Sequence, residues 1–409
     1  MTISAEARGP ATAAELGLME GAPPPAAQHV TLANWQDGPY NRWGFQRVGE
    51  LVPSAPVRRG DGPVLELPDA SEDLDGLVLD GLPGSPTVRR FLLETCTDGF
   101  LVLQHGRIRL ERYFNGMGPS TLHLLQSVSK SFCGAMTGAL VERGLLDLDA
   151  RVATYVPELW DSAFGEATVA QLLDMTVAVA FNEEYEDPRS DVQAQDRAGG
   201  WRPRRPEDPP HSYAFLASLR PSGPHGRSFQ YCSATTDALA WTLERASGSR
   251  YPALLAEALW SRIGAEYDAS ITVDAAGFAF ANGGLSMTLR DLARFGHLML
   301  QDGAVDGFRA TSAAWARRRL DGKPESMGGS EFAVAYPRGS YSTKWWCTGD
   351  RQGTFYGTGI YGQFLWIVPS ASLVIVKLSS LPRPLDPTVT HNHHLAFRAL
   401  AAALAEPAE

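Results

Sequence analysis

Apolar runs along this chain mark strands in its first and last thirds, with helical spacing between them. Gly99 to Gln104 and Arg107 to Phe114 flank His105-Gly106, a pattern that predicts a β-hairpin turning on that pair. Phe364-Leu365-Trp366-Ile367-Val368 and Leu373-Val374-Ile375-Val376-Lys377-Leu378 are two further strands, separated by Pro369-Ser370-Ala371-Ser372. In the middle, a small-residue run after Ser127 predicts a helix that stops at Gly144, a C′ glycine. Val169 to Met175 and Ala234 to Arg245 are two more helices, the second closed by Gly248. Thr288-x-x-Asp291 opens an amphipathic helix running to Leu300, and a last helix spans roughly His391 to Leu404. Long Pro- and Gly-rich loops separate the helices between residue 145 and about 270.

Strands at both ends around a helical middle predict an α+β fold. Its antiparallel sheet, flanked by helices, belongs to a subdomain of residues 29–126 and 271–409. A mostly helical subdomain over 127–270 is inserted into it. Asn34 to Pro56 alternates aromatic and turn residues, as in a segment wrapping a surface. Residues 1–28, rich in Ala and Pro, are expected to be disordered. The length of 409 residues fits two packed subdomains, since single cores stop growing at roughly 250–300 residues.

Composition narrows the partners. A net charge of −10 argues against nucleic acid, and Arg202-Pro203-Arg204-Arg205 is too short a basic cluster to reverse that. No apolar run reaches the roughly 18 residues that a membrane helix needs, and Met1 to Glu20 lacks the pattern of a signal peptide. Cys96, Cys133, Cys232 and Cys347 are scattered without C-x-x-C spacing and read as reduced thiols of a cytoplasmic protein.

The chemistry starts at Ser127-Val128-Ser129-Lys130. Positions three apart share a helical face, so a lysine amine can take the proton of the serine hydroxyl and make it nucleophilic. Alone, S-x-x-K is a weak pattern; its companions give it weight. Tyr231, before a predicted helix, can carry a proton to a leaving amine. Gly357-Thr358-Gly359-Ile360-Tyr361-Gly362 formally matches a dinucleotide fingerprint, but these glycines open a strand, not a helix, so no nucleotide cofactor is expected. A glycine-dense approach to a strand lets backbone come close to a ligand, and the Ile360 and Ser127 N–H groups can form an oxyanion hole.

In this order the motifs resemble those of the serine β-lactamase and penicillin-binding-protein superfamily, nearest its esterase-like class C branch. Two departures stand out: Ser233 replaces the Asn of Y-x-N, and Tyr361-Gly362-Gln363 stands where K-[ST]-G is usual. Both weaken recognition of a β-lactam carboxylate. Longer phrases resemble the nylon-oligomer hydrolases of that branch, among them Asn41-Arg42-Trp43, Tyr155-Val156-Pro157-Glu158-Leu159, Gln230-Tyr231-Cys232-Ser233-Ala234 and Trp345-Trp346-Cys347-Thr348-Gly349. The resemblance implies a serine hydrolase cleaving linear amides of the 6-aminohexanoate-dimer type through an acyl-enzyme, with no cofactor and no metal. It implies Ser127 as nucleophile, Lys130 as base, Tyr231 as proton relay and Ile360 in the oxyanion hole. Tyr185, Asp196, Trp201, Asn282 and Trp346 become the substrate contacts, and a homodimer is a further implication.

Plainer readings stand beside these. Asp196 can pair with the adjacent Arg197, Trp201 can anchor a loop, and Asn282 before Gly283-Gly284 can serve a turn. Glu183-Glu184 reads as a solvated loop face, and His391, His393 and His394 as surface histidines. No G-x-S-x-G elbow occurs. A carboxylesterase using the same residues is the alternative, and a non-catalytic penicillin-recognising sensor a more distant one.

Overall fold

The computed structural model describes residues 9–328 and 330–405. Its centre is a seven-stranded antiparallel sheet in the order Arg107–Tyr113, Thr97–Gln104, Leu373–Ser379, Gln363–Val368, Phe355–Gly359, Trp345–Cys347, Ser340–Ser342. The predicted hairpin turns at His105 and Gly106, both at positive φ. Unbroken apolar runs make the central strands because both faces of the sheet are covered. Leu101, Leu103, Leu365, Ile367, Val374 and Val376 share one apolar cluster with the helices Ser129–Glu142 and Leu289–Leu300. Alternate residues on the same strands, Phe100, Val102, Phe364, Trp366 and Ile375, pack on the other face with Pro387–Ala403. Gly296 lets the helix Leu289–Leu300 lie close: a Cβ there would sit 2.7 Å from both Leu365 and Val374.

A second, four-stranded antiparallel sheet joins distant segments: Ser54–Val57, Ala269–Thr272, Leu285–Met287 and His123–Leu124. Between its strands run the helices of the middle third, including Val169–Leu173, Asp191–Ala198, Ser212–Ser218 and Ser233–Ser247. Thr288 caps its helix as the sequence predicts, accepting from the Asp291 amide, and Gly248 closes Ser233–Ser247 in the left-handed conformation. No described helix is long and apolar enough to cross a membrane.

Three expectations need correction. Disorder was expected over residues 1–28; residues 1–8 lie outside the described residues, but Ala13 and Leu18 are buried with Trp35 and Trp43. The Ala13 amide also donates to Asn115 Oδ1 at 2.7 Å. Isolated apolar residues in an Ala/Pro background therefore found a groove that composition cannot reveal. The last helix starts at Pro387, not His391, because Asp386 caps it and proline suits its first turn. That shift turns His393 inward: it is fully buried, stacked on Phe364 at 5.0 Å, with Nδ1 2.7 Å from the Val389 carbonyl oxygen. His394 lies beside Tyr356 and Trp366, and His391 alone of the three is exposed.

Besides Lys130, two lysines are buried in this core. Lys344 Nζ donates to the Leu172 carbonyl at 2.7 Å and Lys377 Nζ to that of Thr95 at 3.2 Å. Burial pulls both amines down to about 7. Between about 7 and the ordinary lysine value of 10.5, the unfolded chain holds protons that the folded chain has released. Stability contributed through these groups therefore rises with pH across that window, and the penalty for charging them is complete below it. Lys344→Met should flatten that rise by about one proton's worth of slope, measured as urea midpoints at pH 7, 8 and 9.

Candidate active site

The chain leaves the short strand His123–Leu124, passes through Gln126 at φ 48°, and enters the 3-10 turn Gln126–Val128 that leads into the helix Ser129–Glu142. A left-handed non-glycine residue costs roughly 1–2 kcal/mol, a strain that here turns Ser127 out of the strand and onto the helix start. Lys130, one turn on, is 2 % exposed, and its Nζ lies 2.7 Å from Ser127 Oγ. Two further acceptors hold the same nitrogen: the Asn282 carbonyl oxygen at 2.8 Å and Ser233 Oγ at 3.2 Å. The ring of Tyr231 faces it with its centroid at 5.1 Å, and that ring stacks on Trp346.

The strand Phe355–Gly359 ends against the Ser127 turn. A Cβ on Gly359 would meet the Leu125 carbonyl oxygen at 2.7 Å and the Ser127 nitrogen at 2.9 Å, so only glycine allows this approach. Ile360 follows at once, on the wall of the same cavity as Ser127. Tyr361 adopts φ 63° and is buried edge-on to Phe45 at 5.1 Å.

Two cavities meet at Ser127, Tyr185 and Ile360. The mainly apolar one, about 360 Å³, is walled by Tyr231 and Trp346. The polar one, only about 20 Å³, is walled by Asp196, Trp201 and Asn282. The expected residues are thus gathered in one place, with Lys130 behind the wall.

Several of them do something other than expected. Asp196 does not pair with Arg197, because adjacent helical residues face different ways. Arg197 bonds Asp208 at 2.8 Å, while Asp196 Oδ2 accepts from Arg202 Nε at 3.1 Å and Gln36 Nε2 at 3.4 Å. Burial pushes the Asp196 carboxyl up, against the opposing pull of Arg202. Trp201 is 2 % exposed; its Nε1 donates to Thr272 Oγ1 at 2.8 Å and its ring lies edge-on to Trp35. The Asn282 amide group is already committed, donating to Asp237 Oδ2 at 2.7 Å. Trp346 and Tyr185 keep faces on the open cavity.

Glu183 overturns the reading of a solvated pair. Glu184 is exposed, but Glu183 accepts from the Ser233 amide at 2.9 Å, from Ser233 Oγ at 2.5 Å and from Tyr185 Oη at 2.7 Å. Its loop folds inward because Asp191 and Asn182 tie its ends together. Burial, then the adjacent Glu183, hold the Tyr185 phenol well above its ordinary value. Asp237 was missed altogether. Fully buried, it accepts from Gln195 Nε2 at 2.6 Å and from the Asn282 amide nitrogen at 3.0 Å as well as from its side chain. Burial raises it to about 7. A carboxylate whose neighbours three and four positions away on the helix include Ala234, Ala240 and Trp241 was the available signal.

The β-lactamase family model matches residues 96–400. The chain is 47 % identical over 374 residues to the 6-aminohexanoate-dimer hydrolase of Paenarthrobacter ureafaciens, covering 91 % of this chain and 93 % of that enzyme. A solved Bacillus anthracis structure, provisionally named a 6-aminohexanoate-dimer hydrolase, superposes with a TM-score of 0.85 at 30 % identity, over 93 % of this chain and 98 % of that one. A family VIII carboxylesterase shares the fold at a TM-score of 0.56 and 19 % identity, covering 74 % of this chain and 92 % of its own.

Asp237→Ala would strand three buried donors, each costing about 1–3 kcal/mol, so its melting temperature should fall by at least about 5 °C. Asp237→Asn keeps one acceptor and should lose less. Calorimetry of both variants checks the order.

Proposed function

The chain belongs to the β-lactamase family of serine hydrolases, and on that premise we propose that it hydrolyses linear amides of the 6-aminohexanoate-dimer type through an acyl-enzyme. The observation that carries the reading is the 2.7 Å contact between Ser127 Oγ and a buried lysine amine. An amine has three hydrogens when charged and two when neutral. Asn282 and Ser233 take two of them, so loss of the third leaves a lone pair aimed at the Ser127 hydroxyl.

Lys130 takes that proton as Ser127 Oγ bonds to the amide carbon. The carbonyl electrons move onto oxygen, which rests on the Ser127 and Ile360 N–H groups. Collapse of this intermediate breaks the C–N bond, and the departing nitrogen takes a proton from Tyr231, with Tyr185 alongside. Lys130 restores the Tyr231 proton. Water then attacks the acyl ester, giving a proton to Lys130, and Ser127 regains its hydrogen as the acid leaves. Glu183 is joined to Lys130 through Ser233, whose Oγ donates to the carboxylate and accepts from the amine.

Asp196, on the wall of the small polar cavity, is the proposed partner of the acyl half's terminal ammonium; the apolar cavity, beside Tyr231, suits the leaving group. One observation supports a second reading, esterase activity: Asp196 is already paired with Arg202, and short esters need neither an ammonium partner nor amine protonation. Four free, buried cysteines support a cytoplasmic location, and a homodimer completes the proposal.

Ser127→Ala should abolish turnover of the dimer while circular dichroism shows the fold intact; an unchanged rate ends the proposal. Asp196→Gly should cut kcat/KM for the dimer by about tenfold or more, the worth of a charged hydrogen bond, and change a short p-nitrophenyl ester little. Equal losses on the two substrates would exclude Asp196 as the ammonium partner.

A further inference from the structure

One wall of the small polar cavity comes from far away in the chain. Trp35 and Gln36, consecutive residues of the N-terminal segment, are both buried, and Gln36 lines that cavity together with Asp196, Trp201 and Arg202. Three contacts pin the segment beside it. The Leu124 amide donates to the Phe45 carbonyl oxygen at 2.9 Å, just ahead of the Ser127 turn. Asn41 Nδ2 donates to the Leu381 carbonyl oxygen at 2.7 Å. Gly38 packs so closely that a Cβ there would lie 2.7 Å from Pro382 Cα.

The two side chains act on one turn. The helix Asp191–Ala198 runs out through Gly200 at φ 79°, and the Trp201 amide returns to the Asp196 carbonyl oxygen at 2.8 Å. Trp35 Nε1 donates to the Trp201 carbonyl oxygen at 2.8 Å and so fixes the far end of that turn. Gln36 Nε2 meets Asp196 Oδ2, the same oxygen that accepts from Arg202 Nε. No described residue donates to Oδ1. With both donors on one oxygen, the other keeps its lone pairs for a cation. Gln36 is also neutral, so it holds Oδ2 without adding a second positive charge that would repel an ammonium.

The segment lies ahead of residues 96–400, the stretch that the family model matches, whereas Ser127, Lys130, Tyr231 and Ile360 lie inside it. A part outside the shared stretch can alter which substrate is held while leaving the bond-breaking groups alone. We propose that Gln36 and Trp35 are specificity-determining positioning residues. Together they present Asp196 Oδ1 to the terminal ammonium of the acyl half, so the N-terminal segment supplies the preference for acyl groups ending in an amine. This rests on the proposed function, which takes Asp196 as the ammonium partner.

The test measures kcat and KM of wild type, Gln36→Leu, Trp35→Phe, Asp196→Asn and the double variant Gln36→Leu/Asp196→Asn. The substrates are the 6-aminohexanoate dimer, its analogue with a hexanoyl in place of the aminohexanoyl group, and p-nitrophenyl acetate. Leucine keeps the bulk of the buried glutamine, and phenylalanine keeps a ring beside Trp201 while removing the Nε1 donor. Gln36→Leu should raise KM for the dimer about fivefold or more, with kcat and both ammonium-free substrates changed less than about twofold. Trp35→Phe should act in the same direction by about threefold. Added to Asp196→Asn, Gln36→Leu should cost nothing further, because the group it positions no longer carries charge. Equal losses on all three substrates, an unchanged dimer KM, or a full additional loss in the double variant overturns the inference. A preference for the dimer over the hexanoyl analogue that Asp196→Asn abolishes and Gln36→Leu leaves intact also removes it, and leaves the proposed function standing. A wild type that turns over the acetate but no linear amide removes the proposed function, and this inference with it.

Discussion

The structure is organised around one buried nitrogen. Lys130 Nζ has hydrogen-bond acceptors on three separate segments: the turn at Ser127, the helix start at Ser233 and the loop at Asn282. A buried amine must find partners or lose its charge, and each partner must itself be held. Asn282 is held by Asp237, Asp237 by Gln195, and Ser233 by Glu183. The polar network therefore reaches from the helix Ser129–Glu142 into the helices Asp191–Ala198 and Ser233–Ser247. Its members are linked in series, so loosening one exposes the next.

A second constraint is steric. The end of the strand Phe355–Gly359 can face the Ser127 turn only because Gly359 has no side chain. That close approach brings Ile360 to the cavity wall and makes Ser127 the point where two dissimilar spaces meet. One is small, polar and already crossed by the Asp196–Arg202 ion pair; the other is wide, apolar and ringed with aromatics. The asymmetry gives the two halves of a substrate different surroundings, which is a basis for specificity independent of the catalytic groups.

Much of this was legible without coordinates. The hairpin, the two C-terminal strands, the helix after Ser127 and the Thr288 and Gly248 caps depend on local periodicity and turn chemistry, which neighbours in sequence fully specify. The Ser127–Lys130 contact is legible for the same reason, since three residues along a helix fix it. Glu183 and Asp196 were not. Which of two adjacent carboxylates turns inward, and which arginine meets a given aspartate, depends on how a loop closes over elements far away in the chain. Asp237 was not singled out, and its partners, Gln195 and Asn282, lie 42 and 45 residues away.

The sequence by itself determined the α+β class, from strands at both ends around a helical middle, and the Ser127–Lys130 contact, from spacing within one helical turn. Only the tertiary structure decided that Asn282 and Trp201 are spoken for, that Asp196 carries an arginine, and that Gln36 meets it from the N-terminal segment. Those outcomes are set by competition among groups brought together from distant segments, and a linear pattern does not record which partner wins.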